Sequence, residues 1–94
     1  MAMTYLFAYD IVNDRTRRRV AALLQTYGDR IQRSVFACPM RQASFAALFE
    51  RVTQMLDGSS DVLHCFELDK SAVSSLRTFG QASNLDRPAF WMSL

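Results

Sequence analysis

One short stretch, Thr4 to Arg19 (TYLFAYDIVNDRTRRR), brings a carboxylate close to a knot of guanidinium groups. Asp10 directly follows the apolar run Tyr5, Leu6, Phe7, Ala8 and Tyr9. A carboxylate at the end of a buried strand is costly unless it is solvated, hydrogen-bonded or holding a cation. Arg15, Arg17, Arg18 and Arg19 follow where a helix is expected to begin. Cations there oppose the helix dipole at a cost of roughly a few tenths of a kcal/mol each, which an anionic partner recovers. The chemistry that fits is phosphate binding by the arginines, with Asp10 as the one candidate for a catalytic and metal-holding carboxylate. Two plainer readings stand beside it: the arginines form a solvated charged face, and Asp10 accepts backbone N–H bonds at the helix start.

The rest of the chain offers little chemistry. His64 is the single histidine and falls mid-strand between Leu63 and Cys65, where a packed or hydrogen-bonded core residue is expected rather than a ligand or general base. Cys38 and Cys65 lie in apolar runs without CxxC spacing and are expected to be buried thiols of a reducing compartment. There is no Gly-rich phosphate loop, nucleophile elbow, HExxH or zinc spacing, and Ser34 and Ser44 have no evident base.

The elements that must position Asp10 and the arginines follow from periodicity. Tyr5 to Tyr9, apolar or aromatic at every position, predict a central strand covered on both faces. Asn13 and Asp14 supply capping side chains, and Val20, Leu23, Leu24 and Tyr27 keep helical spacing up to Gly28. The run DRIQRSVFACPM, closed by Pro39, is one long strand or two short ones about a turn at Arg33-Ser34. Phe45, Leu48, Phe49, Val52, Met55 and Leu56 predict a second helix, started by Ser44 and ended by Asp57-Gly58. Asp61 to Leu68 predicts a strand, and the segment from Lys70 to Thr78 a short helix, a last strand, or both in turn. This order is that of an α+β, ferredoxin-like βαββαβ sandwich with two helices on one sheet face.

Ninety-four residues make one domain with a single modest core. Half the residues are hydrophobic and 12% aromatic, so some apolar surface is expected to meet a second subunit. We place the domain at residues 1–80. The tail, 81–94, ends in Ala89, Phe90, Trp91 and Met92 and is expected to pack on the dimer partner as an extra strand on its sheet. The formal charge of +2 hides an asymmetry: residues 1–41 hold seven Arg against three Asp. Ten of the eleven basic residues are Arg, whose planar fork suits phosphate. Neither a transmembrane-length segment nor a signal-peptide pattern is visible, and a cytoplasmic protein is expected.

YDI at Tyr9 to Ile11, the following NDRTRRRVAALL, and YGDRIQRSVFAC across Tyr27 to Cys38 together resemble the small CRISPR-associated Cas2 family of the adaptation module. The resemblance covers Met3 to about Gly80. It implies a ferredoxin-like homodimer with a hairpin inside DRIQRSVFACPM, acting with the CRISPR integrase in spacer acquisition. It also implies, for some members, magnesium-dependent endonuclease activity on RNA or double-stranded DNA. Carried over residue by residue, it marks Tyr9 and Asp10 at the strand end, Arg17 and Arg19 on the first helix, Arg30, and Phe36. On this reading one Mg2+ per dimer is shared by two copies of Asp10. Arg15, Arg17, Arg18, Arg19, Arg30 and Arg33 form the nucleic-acid face, with Tyr9 and Phe36 as structural neighbours. The chain departs from the family in having Ala37 where an acid is frequent, and in lacking acids near Met40 to Gln42. The alternative is a ferredoxin-like toxin-type ribonuclease or RNA-binding module.

Overall fold

Alternation along the first strand decides which side of the sheet is the core. In a computed structural model that describes residues 3–77, β1 (Met3–Asp10) buries Tyr5, Phe7 and Tyr9 on one face. Leu6 and Ala8 are half-buried on the other, and Asp10 is exposed. Five elements then follow in the expected order: α1 (Asp14–Gln25), β2 (Asp29–Gln32), β3 (Val35–Met40), α2 (Gln42–Thr53) and β4 (Val62–Leu68). A short helix, α3 (Lys70–Ser74), comes last. The four strands form one antiparallel sheet in the order β2-β3-β1-β4, the ferredoxin-like arrangement.

The first face carries the main core. Val20, Ala21 and Leu24 of α1 and Leu48 and Val52 of α2 are buried with Tyr5, Phe7, Tyr9 and Phe36. Phe45 stacks on Tyr5 with centroids 4.1 Å apart and planes 7° apart, which seats α2 on β1. Fully buried side chains such as Phe7, Phe36, Leu24 and Val52 contribute roughly 1.5–3 kcal/mol each. The second face is thinner: Val73 of α3 packs with Ala37, Leu6, Ile31 and Leu68, so β1 is central but fully covered only on the side of α1 and α2.

One local alternative is resolved and several expectations are corrected. DRIQRSVFACPM is a hairpin of β2 and β3 turning at Arg33-Ser34, and the pairing slips by one residue between Arg30 and Gln32. β3 continues through Pro39 because β2 pairs with it only as far as Ala37, leaving Pro39 in a stretch paired on the β1 side. Ser44 does not cap α2: Arg41 is the capping residue, without a side-chain bond, and Ser44 lies inside the first turn. Tyr27 lies beyond the end of α1 and is exposed. His64 is exposed rather than in the core, because β4 is an edge strand and His64 points to the face that α1 and α2 do not cover. Cys38 is buried, whereas Cys65 is half-buried. The expected extra strand and the tail, 81–94, lie outside the described residues. Among those described, no helix is long and apolar enough to cross a membrane.

Candidate nucleic-acid interface and cation site

The loop after Asp10 is tied at successive residues. The Asn13 side chain caps α1 by accepting from Thr16 N–H at 2.9 Å. Arg17 reaches back, donating from Nη1 to the Ile11 carbonyl at 3.0 Å while pairing with Asp14. Val12 N–H donates to Asp61 Oδ1 at 3.0 Å, a bond across 49 residues, and Asp57 N–H donates to Asp61 Oδ2 at 2.9 Å. These two backbone donors, Asp57 first, hold the Asp61 carboxyl below the ordinary carboxylate value. A depressed carboxylate stabilises the fold above its unfolded pKa, about 3.9, and that contribution is lost as pH falls through the lower folded value. Asp61→Asn keeps one oxygen for two donors. Thermal midpoints of the two proteins are expected to differ most above about pH 4 and to converge in acid; a pH-independent gap would show that the Asp61 charge is not what holds the loop.

On the helix side of the sheet, α1 and the β2–β3 hairpin enclose a groove of about 600 Å3 lined by Tyr9, Asp14, Arg17, Arg18, Arg30 and Arg33, among others. β1 presents Tyr9 on this side, and the Tyr9 ring stacks near Phe36 with centroids 6.4 Å apart. The Arg30 guanidinium lies over the Phe36 ring, 5.1 Å from its centroid, a cation–π contact that fixes the side chain. Tyr9 Oη and Arg30 Nε are both buried without a hydrogen-bond partner among the described residues. Each such orphan costs on the order of 1–3 kcal/mol. Both atoms are closed off within the protein, so the groups the groove offers to a phosphate are its exposed guanidinium groups, Arg18 and Arg33.

The six arginines predicted from sequence do not all line one groove. Arg17, Arg18, Arg30 and Arg33 line the groove, while Arg19 lines a separate depression between α1 and α2 with Arg51. Arg15 is exposed and lines neither. Asp10 is also separated from them. Strand alternation turns its side chain to the face opposite Tyr9, where its register partner is Val62 of β4. The sequence places Asp10 one residue from Tyr9, and the pleat puts the sheet between their side chains.

Asp10 is exposed and has no hydrogen-bond or ion-pair partner among the described residues, so its carboxylate is available to a cation. No group of three or more His, Cys, Asp or Glu side chains gathers anywhere among them. Ala37 is fully buried with Val73 beneath α3 and adds nothing to such a site. Mg2+ is usually held by one or two carboxylates with waters and phosphate oxygens, so Asp10 fits a cation, and a second copy that brought its own Asp10 alongside would supply the other carboxylate. The thiols take no part. Burial pushes Cys38 up to about 12 and Cys65 up to about 11, so both stay protonated and non-nucleophilic at neutral pH. Asp61 was not singled out from sequence as a residue of the site, since no local spacing links it to Val12.

This fold has known counterparts. Residues 3–75 match the model of the family described as CRISPR associated protein Cas2. The chain is 34% identical over 77 residues to the CRISPR-associated endoribonuclease Cas2 3 of Synechocystis sp., covering 82% of this chain and 84% of that protein. It is 30% identical over 92 residues to the CRISPR-associated endoribonuclease Cas2 3 of Chloroflexus aurantiacus, covering 98% and 99%. Among solved structures, Streptococcus pyogenes Cas2 superposes with a TM-score of 0.76 at 32% identity, covering 83% of this chain and all of that one. With a matching fold, a match along most of its length and relatives this close, the chain belongs to the CRISPR-associated Cas2 family.

Proposed function

We propose that this protein is a nucleic-acid-binding homodimer of CRISPR adaptation that holds a phosphodiester backbone in the arginine groove and cleaves it, as an endoribonuclease or a duplex-directed endonuclease, at Asp10. The observation that carries the binding half is the groove lined by four arginines, Arg17, Arg18, Arg30 and Arg33, with Arg18 and Arg33 exposed. The names of the Synechocystis and Chloroflexus relatives support the ribonuclease half. Family membership favours this reading over a toxin-type module. A second copy of the chain is the occupant that suits the thinly covered sheet face, where Phe66 and Val62 are 53% and 45% exposed beside the edge of β4 that no described strand pairs with.

Within this reading the residues divide the work. Arg18 and Arg33 on the rim meet phosphates, Arg30 is held in place by Phe36, and Arg17 holds the loop that leads from Asp10 into α1. Two copies of Asp10 would hold the cation, which would neutralise phosphate charge and acidify a water. One observation favours a second reading. The groove and Asp10 of one chain lie on opposite faces of the sheet, so a backbone seated in the groove does not thereby reach that chain's own carboxylate. In this second reading the dimer is a scaffold that holds duplex DNA between integrase subunits, and the integrase does the chemistry.

Binding is tested by a salt series. Neutralising a phosphate contact on duplex DNA changes the log–log slope of affinity against salt by about 0.9, and on a single strand by about 0.7. Arg18→Ala combined with Arg33→Ala is therefore expected to flatten the slope by nearly two units for each groove that a duplex occupies, with weaker binding across all sequences. If the slope of that double variant matches the wild type, the groove does not follow the backbone.

A further inference from the structure

The sheet face opposite the groove contains a pair of ionisable side chains that no local sequence pattern joins. Near the Asp10 end of this face, register brings together Ala8, Asp10, Val35, Val62, His64 and Phe66: Ala8 pairs with Val35 on one side and His64 on the other, and Asp10 pairs with Val62. Four of the six are apolar. The other two, Asp10 and His64, are exposed diagonal neighbours on adjacent strands, and neither has a hydrogen-bond or ion-pair partner among the described residues. His64 is the only histidine in the chain.

Diagonal neighbours on one face of an antiparallel pair are about 7–8 Å apart between backbones and closer between side chains, within reach of long side chains. A carboxylate and an imidazole extending from such positions span a cation whose bonds to oxygen and nitrogen are about 2.0–2.2 Å. Apolar surroundings strengthen the case. A carboxylate and an imidazole that a second copy covers on an otherwise apolar patch need each other or a shared ligand, since desolvation without a partner is costly. Imidazole nitrogen also changes which ion is preferred. Mg2+ seeks an octahedron of oxygens and keeps its waters, whereas mixed nitrogen and oxygen donors favour first-row transition dications.

We propose that His64 completes the cation site at Asp10, so that two copies of the chain present two carboxylates and two imidazoles to one ion, a donor set that selects Mn2+ or Zn2+ over Mg2+. This rests on the homodimer reading above and is independent of whether the protein cleaves nucleic acid.

A single histidine makes the test direct. In untagged full-length protein, the imidazole Cε1–H resonance belongs to His64 alone and is followed by proton NMR during titration with MnCl2, then with ZnCl2 or excess MgCl2. The expected result is paramagnetic broadening at substoichiometric Mn2+, reversed by Zn2+ and not by a large excess of Mg2+. In Asp10→Asn the same broadening is expected to need at least about tenfold more Mn2+, and by calorimetry His64→Gln is expected to bind Mn2+ and Zn2+ at least about tenfold more weakly. Its Mg2+ affinity is expected to stay within about twofold, because an oxygen-seeking ion gains little from imidazole. Sedimentation of the same samples separates the two possible failures. A dimer whose His64 resonance ignores Mn2+, or in which Mg2+ displaces Mn2+ at equal concentration, overturns this proposal alone. A monomer overturns the homodimer reading and this proposal with it.

Discussion

Asp10→Ala is expected to lower divalent-metal-dependent cleavage by on the order of 10²–10³-fold, the rate equivalent of several kcal/mol of lost charge stabilisation at the phosphate. Binding is expected to survive. Asp10 lies on the opposite sheet face from the Tyr9, Arg18, Arg30 and Arg33 groove, is exposed, and has no hydrogen-bond partner among the described residues. Its removal therefore takes away neither a core contact nor a phosphate contact. The measurement is single-turnover cleavage of RNA and of duplex DNA with and without Mg2+ or Mn2+, alongside duplex affinity at fixed salt. The combination of lost cleavage and unchanged affinity separates chemistry from binding. If rigorously repurified Asp10→Ala protein cleaves at the wild-type rate, the activity arises elsewhere, and the scaffold reading is the one to keep.

Gly28→Ala is expected to be far more damaging than the same change at Gly58, the other described glycine. A Cβ at Gly28 would stand 2.2 Å from the Ala37 carbonyl oxygen and 2.7 Å from both Cα and Sγ of Cys38. Two of these atoms are backbone of β3, which is locked between β2 and β1, so they cannot swing aside as the end of a flexible side chain would. Relief requires the end of α1 to move off the hairpin, where Gly28 N–H also donates to the Leu24 carbonyl at 3.0 Å. Overpacking of this kind costs about 1–3 kcal/mol and occasionally more, against a total of roughly 5–10 kcal/mol for a domain of this size. A fall of roughly 5–20 °C in the thermal midpoint follows. Gly58→Ala is the control: nothing lies within 4 Å of the added Cβ, and stability should change by less than about 1 kcal/mol. Equal midpoints for the two variants would show that the close approach of Gly28 to β3 is not a constraint on the fold.

The order of elements was determined by the sequence itself, because each signal is local. Five consecutive apolar residues before Asp10, the Asn13 cap and the spacing of Val20 and Leu24 all act within a turn or a strand, and the first strand and first helix form where those signals lie. The second helix was legible for the same reason, although its start was misplaced: Ser44 is a good capping residue, but the chain leaves β3 only after Met40 and the helix begins before Ser44 is reached. The hairpin turn at Arg33-Ser34 was not decided by residue type, since neither residue is typical of a tight turn. It is set by pairing, with β3 held on both edges by β2 and β1.

The site divides along the same line. Sequence alone picked out Asp10 and the arginines, because a carboxylate ending an apolar run and cations at a helix start are local anomalies with a local cost. It did not separate them, and it did not rank them. Whether Asp10 shares a face with Tyr9 depends on the two-residue period of a strand, which reverses a side chain's direction at every step. Which arginines meet depends on how α1 rolls on the sheet, and this put Arg18 with Arg30 and Arg33 across the groove but turned Arg19 toward α2. Asp61 on the Val12 amide and His64 diagonal to Asp10 join segments about fifty residues apart, through a single hydrogen bond and a strand register. Contacts across such separations are fixed only when the sheet closes, because their free energy comes from the packing of the two faces and not from any propensity of the residues that make them.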